Sequence, residues 1–217
     1  MEKNRQFGFY LDQTRCVGCR TCQLACKDYK QSSIGISFRR VVEYEGGKWF
    51  QKQSGAFEQT NVFTYYTSLS CNHCDDPACT KACPTGAMHK DNYGIVSVDA
   101  DKCIGCKSCA MACPYGAPQF DEESGHMTKC NGCSERLDEG LDPICVEACP
   151  FRALEAGPIK ELREKHGHIA GVAPLPEYEK TRPNLCIKPE KNAQPSENGS
   201  GKAHLPQNYQ EVTYDIV

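Results

Sequence analysis

Residues 103–114 read CIGCKSCAMACP: four cysteines spaced C-x2-C-x2-C-x3-C, with a proline directly behind the last. Three further stretches follow the same plan with small departures. Cys16, Cys19, Cys22 and Cys26 keep the spacing but are followed by Lys27. Cys71, Cys74, Cys79 and Cys83 widen the middle gap to four residues, and Cys130, Cys133, Cys145 and Cys149 widen it to eleven. Sixteen of the seventeen cysteines fall into these sets, and only Cys186 stands apart. This repeat sets the architecture more firmly than any hydrophobic periodicity does.

Cysteines three apart in a turning loop reach three corners of a four-iron cubane, and the fourth ligand must come from elsewhere. Where two clusters share a chain, the cysteine before proline supplies it to the other cluster. The second and third sets are sequence neighbours and are expected to pair. Cys71, Cys74 and Cys79 are then completed by Cys113, and Cys103, Cys106 and Cys109 by Cys83. By elimination the outer sets pair across them: Cys16, Cys19 and Cys22 with Cys149, and Cys130, Cys133 and Cys145 with Cys26. The widened gaps are loop insertions of small entropic cost, and the 134–144 loop is a candidate for contact with a partner. Structural zinc sites join two separated C-x2-C pairs, which fits three-cysteine runs poorly. A secreted disulfide scaffold would be shorter and would carry a signal sequence.

The surroundings of these cysteines carry their own expectations. Gly18, Gly105 and Gly132 lie inside the first C-x2-C of three sets, where they permit unusual backbone angles and leave amides free for sulfur. Arg15, Arg20, Lys27, Lys81, Lys102, Lys107 and Lys129 sit beside ligands; they either tune cluster potentials and dock a partner or are ordinary solvated loop charges. His73, His89 and His126 read as non-ligating, since four thiolates already fill each site. Cys186 reads as a buried structural thiol. Trp49 and tyrosines 65, 66, 93 and 115 read as packing around the clusters. No catalytic triad, Walker loop or dinucleotide loop is present, so the chain shows no substrate chemistry of its own.

The 217 residues are only 39% hydrophobic, cysteines included, so an ordinary apolar core is thin. Metal can supply the missing stability, because its binding energy is realised in the folded state. A net charge of -3 advertises no nucleic-acid surface. No apolar run approaches a membrane span, and the opening MEKNRQFGFYLDQTRC has no apolar region of a signal peptide. Membrane contact would have to come through another subunit.

The spacing predicts an α+β fold of duplicated two-cluster ferredoxin-like units. An outer unit takes residues 1–30 and 114–157, and an inner unit takes 71–113. Residues 31–70 form a β-rich insertion: a strand over 38–45, a turn at Gly46-Gly47, a return over 48–53, and a further strand over 61–69. Short helices are expected at 23–29 and 110–112, stopped before proline in the sets that have one, and a short strand within 94–103. One helix is expected over 158–166 with Gly167 at its end. Residues 172–189 should run extended over a surface as a C-terminal strap, within a helix-and-strap segment spanning 158–190. From about 190 the chain reads as a polar mobile tail, or as a strap that orders on a partner.

Over residues 7–190 the chain resembles the iron-sulfur subunits of anaerobic dimethyl sulfoxide reductases. The motifs include R-C-x-G-C-x-T-C-x-L-A-C-K-D-Y-K at 15–30, S-C-N-H-C-x-D-P-A-C-T-K-x-C-P at 70–84, M-A-C-P-Y-G-A-P-Q at 111–119 and P-I-C-V-E-A-C-P at 143–150. The resemblance implies a non-catalytic subunit that relays electrons through four [4Fe-4S] clusters. It implies two partners: an integral membrane anchor that oxidises menaquinol and a molybdopterin catalytic subunit. It also implies export of the folded pair to the periplasmic face, with the signal on the catalytic partner. In related nitrate reductase subunits a tryptophan replaces one cysteine of the third set and leaves a three-iron cluster; here Cys106 stands at that position, implying four cubanes. Runners-up keep the relay and change the acceptor to polysulfide, tetrathionate, arsenate, selenate or formate. A free soluble polyferredoxin is a further alternative, which the 31–70 insertion and the strap argue against.

Overall fold

A computed structural model describes residues 6–205. In chain order its elements are β1 (Phe7–Asp12), α1 (Thr21–Tyr29), β2 (Arg40–Gln51), β3 (Phe57–Leu69), α2 (Ala78–Lys81), β4 (Met88–Lys90), β5 (Val96–Val98), α3 (Ser108–Ala112), β6 (Gln119–Asp121), β7 (His126–Thr128), α4 (Ser134–Asp138), α5 (Ile144–Glu147), β8 (Leu154–Pro158), α6 (Ile159–His166), β9 (Leu185–Lys188) and β10 (Lys202–His204). The result is a small α+β fold of short helices and four small sheets, ordered β8-β1-β9, β10-β2-β3, β4-β5 and β6-β7.

Strand β1 is buried along its whole length. Alternation sends Phe7, Phe9 and Leu11 into the main core with Ile95, Leu154 and Leu185, and turns Tyr10 toward Ile159, Leu162 and Cys186 under α6. Helix α6 lies this close because Gly8 has no side chain: a Cβ there would sit 2.6 Å from Ile159. β1 pairs antiparallel with β8 and parallel with β9. The 172–189 segment is not a surface strap, and it is extended only in part: it turns at residues 173–174, makes a short 3-10 helix at Tyr178–Lys180, and becomes a strand only at β9. Leu185, Cys186 and Ile187 are core residues, and Val172, Ala173 and Leu175 are buried as well.

The insertion is one long hairpin of different register from the one expected. β2 runs straight through Gly46-Gly47, where the pairing shifts by a bulge, and the chain turns at residues 52–56 before returning as β3. The two glycines look like a turn in sequence, but they serve a close approach. Gly47 has φ 100, and a Cβ on it would lie 2.5 Å from the Asn61 carbonyl oxygen on the opposite strand. The far half of the hairpin is exposed, so Trp49 does not pack around the clusters; it stands in solvent with Phe50 and Phe57.

Helix α6 forms where expected, with Pro158 preceding it and Gly167 closing it. Helices α1 and α3 begin earlier than expected, at Thr21 and Ser108. Arg20 and Lys107, both left-handed, turn the backbone just ahead of them and bring the third cysteine of each set inside the helix. Residues 191–205 do not hang free. β10 pairs with β2 through Lys202–Glu45, Ala203–Tyr44 and His204–Glu43, and the Gly201 amide donates to Tyr44 Oη at 2.8 Å. The remainder of the expected tail, 206–217, lies outside the described residues. No helix among the described residues is long and apolar enough to cross a membrane.

Gly8→Val should lower the unfolding midpoint by the equivalent of about 1–3 kcal/mol, the usual range for overpacking, measured by chemical denaturation. Cys186→Ala should destabilise by roughly 1 kcal/mol while leaving iron content unchanged; loss of iron in that variant would make Cys186 a ligand.

Candidate iron-sulfur sites

The four cysteine loops share a backbone turn. The residue before the second cysteine is left-handed in each: Gly18 at φ 70, His73 at 44, Gly105 at 67 and Gly132 at 65. Three sets use glycine for this. The second set uses a histidine, held there by its surroundings. The ring of His73 packs against Phe7, its Nδ1 accepts from the Val96 amide at 3.0 Å, and its carbonyl accepts from Asn184 Nδ2 at 2.8 Å. Burial holds the imidazole well below its ordinary pKa, and the charges of Lys129, Lys90 and Arg39 act the same way, so the ring is neutral.

The turned loops aim amides at sulfur. The His73 amide donates to Cys71 Sγ at 3.5 Å and the Gly132 amide to Cys130 Sγ at 3.4 Å. Met88 and Met127 donate to Cys83 and Cys103, each at 3.4 Å, and Ala153 donates to Cys149 at 3.3 Å. Donors aimed at sulfur stabilise the thiolate, the form that binds metal.

The fold draws cysteines together across the sets. Cys71, Cys74, Cys79 and Cys113 line one pocket, and Cys83, Cys103, Cys106 and Cys109 line another. Burial pushes the Cys16 thiol up to about 11; the Gly18 amide opposes this, and the sulfurs of Cys22, Cys149 and Cys19 add to it. Burial likewise pushes Cys26 up to about 12, with the sulfurs of Cys130, Cys145 and Cys133 adding to it and the Arg39 charge opposing it. In each of the four gatherings three sulfurs come from one set and the fourth from another. Such groups of four thiols, with amide donors at the sulfurs, suit a cubane cluster by donor chemistry.

Contacts between the gatherings put them in a series. Cys79 and Cys109 share a buried apolar cluster with Met88, Val96 and Met127. Cys71 and Cys130 meet beside Ala117. Cys22, Cys26, Cys145 and Cys149 join the main core where α1 packs on α5. The series therefore runs from the Cys106 gathering, through those of Cys71 and Cys130, to that of Cys19. Cys106 and Cys19 are both exposed. Beside them stand exposed apolar side chains, Ile104 and Met111 at one end, Val17 and Leu24 at the other.

The cations named from sequence divide into groups. Lys81 and Lys102 are exposed and paired with Asp76 at 2.5 Å and Asp99 at 2.7 Å; Arg15 lies 3.7 Å from Asp12. Lys27 ties down the carbonyls of Ser33 and Ile36, each at 2.9 Å. Lys107 lies 4.0 Å above the Phe120 ring. Lys129 is buried, with its ammonium on the carbonyls of Val96 and Cys130, and it acts to lower the thiols of Cys71 and Cys79. Arg39, not among those named, is buried beside sulfurs of two gatherings. It gave no sequence signal because it neighbours no cysteine along the chain. The 134–144 loop contains α4 and is tied back to the body through Lys30–Glu135 and Arg136–Glu147 ion pairs.

Comparison with known proteins identifies the family. Residues 62–159 match a family described as a 4Fe-4S dicluster domain, and residues 13–29 a 4Fe-4S binding domain. The sequence is 60% identical to the B subunit of the anaerobic dimethyl sulfoxide reductase of Escherichia coli (strain K12), over 90% of this protein and 95% of that subunit. It is 58% identical to the corresponding Haemophilus influenzae subunit over the same shares. A thiosulfate reductase electron transfer subunit, PhsB of Salmonella typhi, is 39% identical over 72% of this protein and 78% of its own length. The protein belongs to the family of anaerobic dimethyl sulfoxide reductase B subunits, the iron-sulfur, electron-transferring and non-catalytic subunits of multi-subunit reductases.

Proposed function

We propose that the sixteen clustered cysteines hold four [4Fe-4S] clusters and that the chain passes electrons between two partners through them. The ligand sets are Cys103, Cys106 and Cys109 with Cys83; Cys71, Cys74 and Cys79 with Cys113; Cys130, Cys133 and Cys145 with Cys26; and Cys16, Cys19 and Cys22 with Cys149. The carrying observation is the exchange of fourth cysteines, as where Cys113 lines the cavity of Cys71, Cys74 and Cys79. Each cluster would accept and donate one electron at a time. The residues of the chain hold the sulfurs, orient amides toward them, and exclude water between neighbouring sites.

Two duplicated units follow: an inner one over 71–113, and an outer one from 1–30 with 114–157. The 31–70 hairpin is an insertion, 158–190 closes the outer unit, and residues 191–205 add strand β10 to the hairpin. Packing of α2 on α3 and of α1 on α5 supports this division. The electron donor is a quinol-oxidising membrane anchor, and the acceptor subunit carries molybdopterin and reduces dimethyl sulfoxide or an N-oxide. Identity of 60% to a dimethyl sulfoxide reductase subunit against 39% to a thiosulfate reductase subunit favours that substrate class. The complex would stand on the periplasmic face of the cytoplasmic membrane, held there by the anchor; this placement rests on the family resemblance.

Iron and sulfide analysis of the anaerobically purified protein tests the assignment. About sixteen of each are expected for four cubanes, and about four iron atoms would refute it. Cys106→Ala should convert one cubane into a three-iron cluster with its own EPR signal, and an unchanged spectrum would remove Cys106 from the ligand set.

A further inference from the structure

Arg39 is the largest fully buried side chain among the described residues, at 1% exposure, and no carboxylate there lies within ion-pair distance of it. An unpaired cation in the interior is costly unless opposite charge stands nearby. Its hydrogen bonds do not supply that charge. Nη1 donates to the Ser68 carbonyl at 3.2 Å and to Ser68 Oγ at 3.1 Å, and Nη2 donates to Ser70 Oγ at 3.0 Å. The guanidinium lies 4.7 Å from the centre of the Phe9 ring, and its buried Nε has no acceptor. The sulfurs of Cys145, Cys22, Cys130 and Cys26 stand close enough to act on the guanidinium, and as iron-bound thiolates they would carry the opposite charge.

Those four sulfurs belong to two different ligand sets. We propose that Arg39 is an internal counter-cation shared by two adjoining clusters, those of Cys16/Cys19/Cys22/Cys149 and of Cys26/Cys130/Cys133/Cys145, and that it raises the reduction potential of both. This rests on the cluster assignment above. Reduction adds one electron from the quinol-derived relay, with no bond made or broken, and a fixed positive charge in a low-dielectric interior favours the more negative, reduced state. Arg39 also acts through Ser68. By donating to Ser68 Oγ it leaves the hydroxyl proton for Cys22 Sγ, 3.3 Å away. An iron-bound thiolate can only accept in that contact. The Cys79–Cys109 junction, by contrast, is built from Met88, Val96 and Met127. Arg39 is thus a positioning and tuning residue for half of the relay.

EPR-monitored redox titration of Arg39→Gln in the assembled protein tests this, with iron analysis on the same sample. With native iron content, the midpoints of the two named clusters should fall while the other two stay put. Ser68→Ala should lower only the cluster bound by Cys22, and Arg39→Lys should keep both near native values. Four unchanged midpoints, or four equal shifts, would overturn the proposal. If Arg39→Gln sheds iron, Arg39→Lys decides: native iron and midpoints support the charge, and iron loss in both variants assigns Arg39 to packing instead. A native protein with only about four iron atoms would instead defeat the cluster assignment itself, which separates the two failures.

Discussion

A thiol enclosed by protein keeps its proton, and burial pushes Cys26, Cys74 and Cys79 up to about 12. Iron binds the deprotonated form, so buried thiolates are stable together only when metal supplies positive charge and amides supply hydrogen bonds. Much else in the structure follows from that requirement. Four of the six α-helices among the described residues are four or five residues long, too short to form on propensity alone. Of these, α2, α3 and α5 each carry the third cysteine of a set. The apolar core is thin for the same reason: sulfur occupies positions where another fold would place leucine. Folding and cluster loading are one thermodynamic event in such a protein.

The junctions between neighbouring sites differ in kind, and the difference bears on electron flow. The Cys79–Cys109 junction is apolar. The other two hold buried cations, Lys129 near Cys71 and Cys130, and Arg39 near Cys22 and Cys26. Clusters with four thiolates are alike in their covalent chemistry, so their potentials separate through charge, hydrogen bonding and exposure. Uneven placement of two interior cations is a simple way to make four chemically similar sites unequal. The exposed lysines contribute less, because solvent screens them and carboxylates pair with several.

Apart from the sharing of cysteines between sets, the local features were legible in the sequence and the long-range ones were not. Cysteine spacing foretold the loops because ligation geometry is set within a few residues, and glycine at 18, 105 and 132 announced the left-handed turn. His73 fills the same role without any sequence signal, since its backbone angle is imposed by contacts with Phe7, Val96 and Asn184. Gly46-Gly47 misled because a bulge and a tight turn ask for the same residue. The segments 185–188 and 202–204 are too short to read as strands until β1 and β2 offer them edges. Arg39 escaped notice because charge was sought beside cysteines in sequence, whereas it reaches them across the fold.

Exposure at both ends of the series argues about partners. A carrier that diffuses between acceptors needs one accessible site, which it presents in turn to each. Here an exposed cysteine stands at each end, and exposed apolar side chains stand near both in the chain, with Met111 at 80% exposure and Leu24 at 69%. Exposed apolar residues grouped around a reactive site fit a surface that another protein covers. Covering also protects an exposed cluster from solvent oxidants. Two such surfaces joined by buried sites fit a subunit held between two partners at once, each gathering its own end of the path.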